Sequence, residues 1–433
     1  MSESKPKTLV LLAAALGWNL IEKHKPATKI PFRPLAPGPL ALTCPAQAAL
    51  RTALPPARHG VVASGWFHRD LARPHFWEQS AALVHGRRIW EDARAAGQTV
   101  GLAFWQQSLG EALDLVISPK PIHRHHGGIL MDCYTRPEPL YADLCADLGR
   151  KFDLYHYWGP IARARVGRWI SEAALRILAR PDAPDHLFVY LPSLDYDLQR
   201  HGPDSPQAAA ALAETLAQIE PLIAAAEAQG RAWLLTGDYA VEPVVPGDGA
   251  VFPNRLLRAA GLFRTRETAR MLYPDFFTSR AFAIVDHQLA HVHVPDAADL
   301  PRVRELLAQD PGIAEILDSA AQVARDVYFP ERSGELLLVA APGRWFAYPW
   351  WTDPRQAPDY AHQMDIHNKP GFDPCELFFG FPPPHTSQKT ERIRGTHGRS
   401  GAGHEIAAAG LFPEAKTFLD LAVALRNRFA PAR

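Results

Sequence analysis

The chain has 433 residues, with 46 basic and 46 acidic side chains and no net charge. Without an excess of positive charge there is little to hold a phosphate backbone, which argues against a nucleic acid polymer or an anionic membrane surface as partner. The four cysteines, Cys44, Cys133, Cys145 and Cys375, include no CxxC pair, so neither a zinc knuckle nor a disulfide framework is indicated; reduced thiols in a cytoplasm fit best.

The predicted elements begin with an apolar strand over 8–16, preceded by lysines. The run is short and is followed by Gly17-Trp18-Asn19 rather than a cleavage site, so it reads as a buried strand and not a leader. A proline-rich loop fills 26–42. A helix follows over 45–54, with Thr43 and Cys44 just before Pro45; proline suits a first helical turn because its missing N–H has no intrahelical partner there. Thr43 is therefore expected at a helix N-terminus, where free N–H groups and the helix dipole favour an anion. Cys44 is a second possible nucleophile, because a thiol at a helix start has a lowered pKa. Residues 66–160, irregular and rich in His, Pro and aromatics, read as a cap or lid insertion.

Beyond 160 the pattern predicts a helix over 168–179, a strand over 186–191, a long Ala-rich helix over 206–229 and a strand over 231–236. A helix over 254–260, strands over 281–285 and 290–294, a helix over 302–309 and a strand over 336–340 come next. Residues 342–390 form a second cap-like excursion, and a last helix spans 413–429. No stretch reads as a membrane span. Alternating strands and helices imply one α/β domain over 1–433, a three-layer α/β/α sandwich with a mostly parallel mixed sheet and a cap formed by insertions.

Ligands in open α/β sheets gather beyond the carboxyl ends of strands. Asp195 and Asp238 follow the predicted strands ending at 191 and 236, and Thr43 follows the first strand through its loop, so the three are expected to converge. A hydroxyl at a helix start facing two carboxylates suits metal-assisted attack on phosphorus.

Four segments carry a resemblance. Thr43-Cys44-Pro45, running through Thr52 to His59-Gly60, resembles the nucleophile segment of the alkaline phosphatase superfamily, in its nucleotide pyrophosphatase/phosphodiesterase branch. Leu194-Asp195 through His201-Gly202-Pro203 resembles its first metal-binding segment, Thr236-Gly237-Asp238 its second, and Gly395-Thr396-His397-Gly398 its late His-Gly. The resemblance implies Thr43 as nucleophile, Asp195 and His397 as ligands of one divalent metal, zinc or manganese, and Asp238 as a ligand of another. The chain departs from the pattern at three places. The acid expected near Leu16 is absent, the histidine expected four residues after Asp195 is Gln199, and the histidine expected after Asp238 is Tyr239. Asp286, His287 and His291 offer replacement metal ligands. Asp365 and His367, ahead of Lys369-Pro370-Gly371-Phe372-Asp373-Pro374, are expected to bind substrate together with Gln199 and Tyr239.

These residues imply a hydrolase of a phosphate monoester or diester of a small organic molecule. The alternatives are a metal-free or metal-poor binding protein on the same fold, or a transferase or isomerase acting on a phosphorylated metabolite. The sequence leaves the substrate and the oligomeric state open.

Overall fold

The apolar run near the N-terminus becomes the central strand β1 (Thr8–Ala13), whose six residues are all buried. Burial on both faces is why it reads as a continuous Leu/Val/Ala run rather than an alternation. The computed structural model describes residues 7–126 and 128–430. In chain order the strands that matter here are β1, β2 (Arg33–Leu35), β3 (Val100–Ala103), β4 (Leu115–Pro119), β5 (Cys133–Arg136), β6 (His186–Leu191) and β7 (Ala232–Gly237). They continue with β8 (Phe282–Asp286), β9 (Leu289–His293), β10 (Ile313–Asp318), β11 (Leu336–Ala340) and β12 (Ile406–Gly410). The helices are α1 (Thr43–Thr52), α2 (Arg165–Ala179), α3 (Leu194–His201), α4 (Pro206–Ala228), α5 (Pro253–Ala259), α6 (Leu300–Leu307) and α7 (Phe418–Phe429).

The main sheet has eight strands in the order β2-β12-β7-β1-β6-β3-β4-β5. Its five central strands are parallel, and the edges are antiparallel. Strands β6 and β7 flank β1 and end level with it: Ala13 stands opposite Leu191 on one side and Gly237 on the other. Helices α2 and α3 each pack on α4, α1 packs on α7, and Phe429 of α7 meets His186 and Phe188 of β6. The mixed α/β architecture with a mostly parallel central sheet agrees with the expectation from sequence.

Three expectations are corrected. Residues 66–160 are not simply a cap, because they supply β3, β4 and β5 to the main sheet; these strands have only four or five residues, too short to show a period beside their Pro and Gly turns. The strands after 280 do not extend the main sheet. They build a separate antiparallel sheet, β8-β9-β11-β10, against which α5 packs beside α6. Helix α4, 23 residues with a mean hydropathy of 1.2, is long and apolar enough to cross a membrane, although no such stretch was expected; half of its apolar window is buried in the protein.

The second excursion, 342–390, is mostly loop and short 3-10 turns. It is held from inside by Lys369, whose ammonium meets Asp373 at 2.8 Å, Glu376 at 2.7 Å and the Gln363 carbonyl at 3.0 Å. The indole of Trp158 donates to the same Glu376 at 2.6 Å. Phe372, between these carboxylates and Gly371, reaches into the site.

Candidate active site

Thr43 opens α1 after Leu42, which is extended, and Ala53 closes the helix in the left-handed region with its N–H on the Ala49 carbonyl. The Thr43 side chain is 5% exposed. Its hydroxyl interacts with two phenols, those of Tyr190 on β6 and Tyr239 just past β7. Burial holds both phenols well above the usual tyrosine range, so they stand as neutral donors and acceptors.

Asp195 and Asp238 arrive as the sheet register dictates, one in the first turn of α3 beyond β6 and the other immediately after β7. Asp238 Oδ1 accepts the backbone N–H of Ala15 at 2.9 Å and of Tyr239 at 3.0 Å, while Oδ2 has no partner. Burial first, and Asp195 nearby, hold its carboxyl well above the ordinary range despite those two N–H groups. Asp195 Oδ2 accepts from Gln199 Nε2 at 2.5 Å. Burial pushes its carboxyl up to about 6 against the opposing pull of His287, Gln199 and the Tyr239 hydroxyl. The phenol lies beside Asp195 without aligning on Oδ1, which has no directed donor.

His397 completes the cluster. Its Nδ1 faces the Ala41 carbonyl at 2.9 Å, so that nitrogen carries the proton. Its ring stacks flat on Tyr239, with centroids 3.5 Å apart, and leans on His287 at 3.7 Å. Burial, with His287 alongside, holds His397 well below the usual imidazole range, hence neutral. The four residues expected to meet are thus drawn into one neighbourhood: Tyr239 touches Thr43, Asp195 and His397, and Asp238 is its chain neighbour.

The other expected residues divide. His287 belongs to the site: its Nδ1 meets Asp286 Oδ1 at 2.7 Å, its Nε2 has no partner, and Phe372 covers it at 3.8 Å. Asp286 supports from behind, with Oδ2 on the Ser64 N–H at 2.7 Å. His291 is placed otherwise. Its Nδ1 accepts from Gly334 N and its Nε2 faces the Val62 carbonyl, so both ring nitrogens are committed to backbone and none is left for a metal. Asp365 closes its own turn through the N–H groups of His367 and Asn368, and His367 faces the Phe76 carbonyl, so their polar contacts lie outside the cluster. The thiol of Cys44 is not activated: burial, then Asp286, pushes its pKa up.

Sequence reasoning missed Tyr190, Ser64 and Phe372. Tyr190 had a signal, the one hydroxyl in the apolar strand His186–Leu191 and next to its carboxyl end. Ser64 acts through a loop and had none; Phe372 had one, its place in the turn-rich segment Lys369–Pro374.

A threonine at a helix start, with one carboxylate beyond β6 and another beyond β7 on either side of β1, agrees with an alkaline phosphatase superfamily fold. The sequence pattern described as type I phosphodiesterase/nucleotide pyrophosphatase matches residues 24–373, and the chain belongs to that family. No curated protein matches it in sequence. Among solved structures, phosphonoacetate hydrolase from Sinorhizobium meliloti, bound to phosphonoacetate, is similar with a TM-score of 0.61 at 14% identity, over 98% of this chain and 95% of that one. An inactive murine ectonucleotide pyrophosphatase/phosphodiesterase 5 holding AMP is similar at 0.57 and 13%, over 98% and 95%. The human counterpart is similar at 0.57 and 13%, over 99% and 96%. At these identities the likeness concerns the fold.

Members of this superfamily use divalent metals, and the donor set here does not fit a pair of them. The turn after β1 offers Asp238 only the N–H of Ala15, because no acid occurs between Thr8 and Ile21. Gln199 and Tyr239 stand where imidazoles would be. Among the described residues no group of three or more His, Cys, Asp or Glu is arranged to hold a metal, whereas catalytic zinc takes three protein ligands and a water.

Proposed function

We propose that the protein is a phosphoric ester hydrolase acting on a phosphate monoester or diester of a small organic molecule, with Thr43 as nucleophile. The observation that carries this is the Thr43 hydroxyl, held at the N-terminus of α1 and interacting with the phenols of Tyr190 and Tyr239. The helix start favours an oxyanion, and two neutral hydroxyls beside it can donate to oxygens that gain charge as phosphorus is attacked. Thr43 Oγ bonds to phosphorus, the ester P–O bond breaks, and the organic alkoxide leaves and takes a proton from solvent water; a second water then attacks phosphorus, breaks the Thr43 Oγ–P bond and releases the phosphoryl group as Thr43 Oγ regains a proton. The proton lost by Thr43 has a route through the Tyr239 hydroxyl to the Asp195 carboxylate. Family membership supports the reaction class, and the ligands of the similar structures, phosphonoacetate and AMP, support a small phosphorus oxyanion. The four free cysteines suit a reducing cytoplasm.

A second reading, a binding protein without turnover, is favoured by the three missing ligand positions. Hydrolysis of nitrophenyl phosphate esters, phosphonoacetate and nucleotides, with and without chelator, separates the two. Turnover lost in Thr43→Ala and kept in Thr43→Ser is the expected result. Unchanged turnover in Thr43→Ala removes Thr43 from the mechanism, and AMP binding without any turnover establishes the second reading.

A further inference from the structure

We propose that Tyr239 takes the place of the divalent cations, so that this site is organised without a metal. The inference rests on reading Thr43, Asp195, Asp238 and His397 as one site, but not on turnover. The phenol of Tyr239 stands among these side chains. Its hydroxyl reaches Thr43 and Asp195, groups that the family pattern assigns to the nucleophile and to a metal ligand, and its ring lies flat against His397. One atom of each neighbouring group is turned to a protein partner, while Asp238 Oδ2, Asp195 Oδ1 and His287 Nε2 have none. Asp238 Oδ1 is taken by two backbone N–H groups, Asp195 Oδ2 by Gln199, and the His287 Nδ1 by Asp286.

The substitutions are mutually consistent. A cation holds two carboxylates and a hydroxyl together by charge; a neutral phenol beside a hydroxyl and a carboxylate fills the same space with a group that can both donate and accept. Gln199 follows the same logic, since its amide donates to Asp195 where an imidazole would share a metal with it. The buried ammonium of Lys369, three residues before Phe372, is spent on Asp373 and Glu376. Three ligand positions differ from the family pattern together, as Tyr, Gln and a stretch with no acid, and Gln199 and Tyr239 occupy the places beside Asp195 and His397.

The test uses the full-length protein loaded with zinc or manganese, returned to metal-free buffer, and measured by elemental analysis and zinc calorimetry. The wild type and Tyr239→Phe, which keeps the ring, should hold no stoichiometric metal. Tyr239→His combined with Gln199→His should take up about one zinc per chain, and Asp195→Asn in that background should abolish it. Stoichiometric zinc in the wild type that disappears in Asp238→Asn overturns the proposal, as does a folded double variant that takes no zinc. If the double variant does not fold, the wild-type titration decides. Metal content is read without substrate, so absent phosphoesterase activity would remove the hydrolase reading and leave this one standing, while zinc in the wild type would do the reverse.

Discussion

The rings of Tyr239 and His397 lie parallel, 5° apart, with 3.5 Å between centroids. The two residues are brought together by different ends of the chain: Tyr239 leaves the end of β7, and His397 is held by Gln288 N on its carbonyl and Ala41 O on its Nδ1. Because Tyr239 directly follows Asp238, one backbone position fixes both the buried acid and the phenol beside Thr43. The site is therefore specified by few backbone degrees of freedom, and single substitutions should have separable effects.

Removing the Tyr190 hydroxyl tests its place beside Thr43. Tyr190→Phe keeps the packing of β6 and deletes one donor. A lost transition-state donor costs about 100-fold or more in rate, while a lost hydrogen bond costs stability only about 1 kcal/mol. Steady-state kinetics should show the fall in kcat with KM nearly unchanged, and urea denaturation should show the small stability cost. An unchanged kcat would place Tyr190 outside the chemistry.

The Lys369 cluster should behave as a buried ion triad. Lys369→Met leaves Asp373 and Glu376 without their cation, and breaking such a pair costs about 3–5 kcal/mol. Adding Glu376→Gln should recover part of this, because one uncompensated charge is then gone. Chemical denaturation of the single and double variants reads both effects; additive losses would show that the carboxylates do not depend on the lysine.

Acid should destabilise the fold through buried neutral histidines. Burial lowers His186 to about 4, His291 to about 4 and His59, next to Arg51, to about 3. Unfolded histidine titrates near 6.5. Below that pH the unfolded chain binds protons that the folded chain refuses, so stability is full above about 6.5 and falls as pH drops toward 4. Neither ring nitrogen of His186 has a partner. His186→Leu should thus remove about 2 kcal/mol of the loss between pH 7 and pH 5, seen as a flatter dependence of thermal midpoint on pH.

Gly237→Ala should disturb the site through the backbone. A Cβ there would stand 2.2 Å from the Leu16 carbonyl oxygen, so the turn after β1 must move away from β7. That turn carries Ala15, whose N–H holds Asp238. Overpacking of this kind costs about 1–3 kcal/mol. Denaturation should show this loss together with faster amide exchange at Ala15; unaltered exchange would mean that the strands absorb the methyl group elsewhere.

Much of the fold was legible because strands β1, β6 and β7 are buried on both faces and written as apolar runs that end where Asp195 and Asp238 begin. Thr43 was legible through Pro45. What escaped notice had weaker local signals. Strand β12 is Ile-Ala-Ala-Ala-Gly, a sequence without β-branched residues after the first, and it is a strand only because its neighbours leave that place open. His291 lies within two turns' reach of His287 in sequence, but spacing alone does not show that its ring nitrogens point at Val62 and Gly334. Tyr190 is one phenol in an apolar strand, and such a residue reads as core until the residues from other strands are set beside it.

Strand β12, made from residues near the end of the chain, lies between β2, made near its beginning, and β7. The consequence is one of timing. As the chain leaves the ribosome, β1, β6 and β7 can align while β2 has no edge to join, and helix α1 lacks the α7 surface on which it packs. The segment carrying Thr43 meets the α7 surface only after translation has passed residue 429, so folding of this half of the molecule closes a loop that runs from α1 to α7, a slow step for a chain of that length.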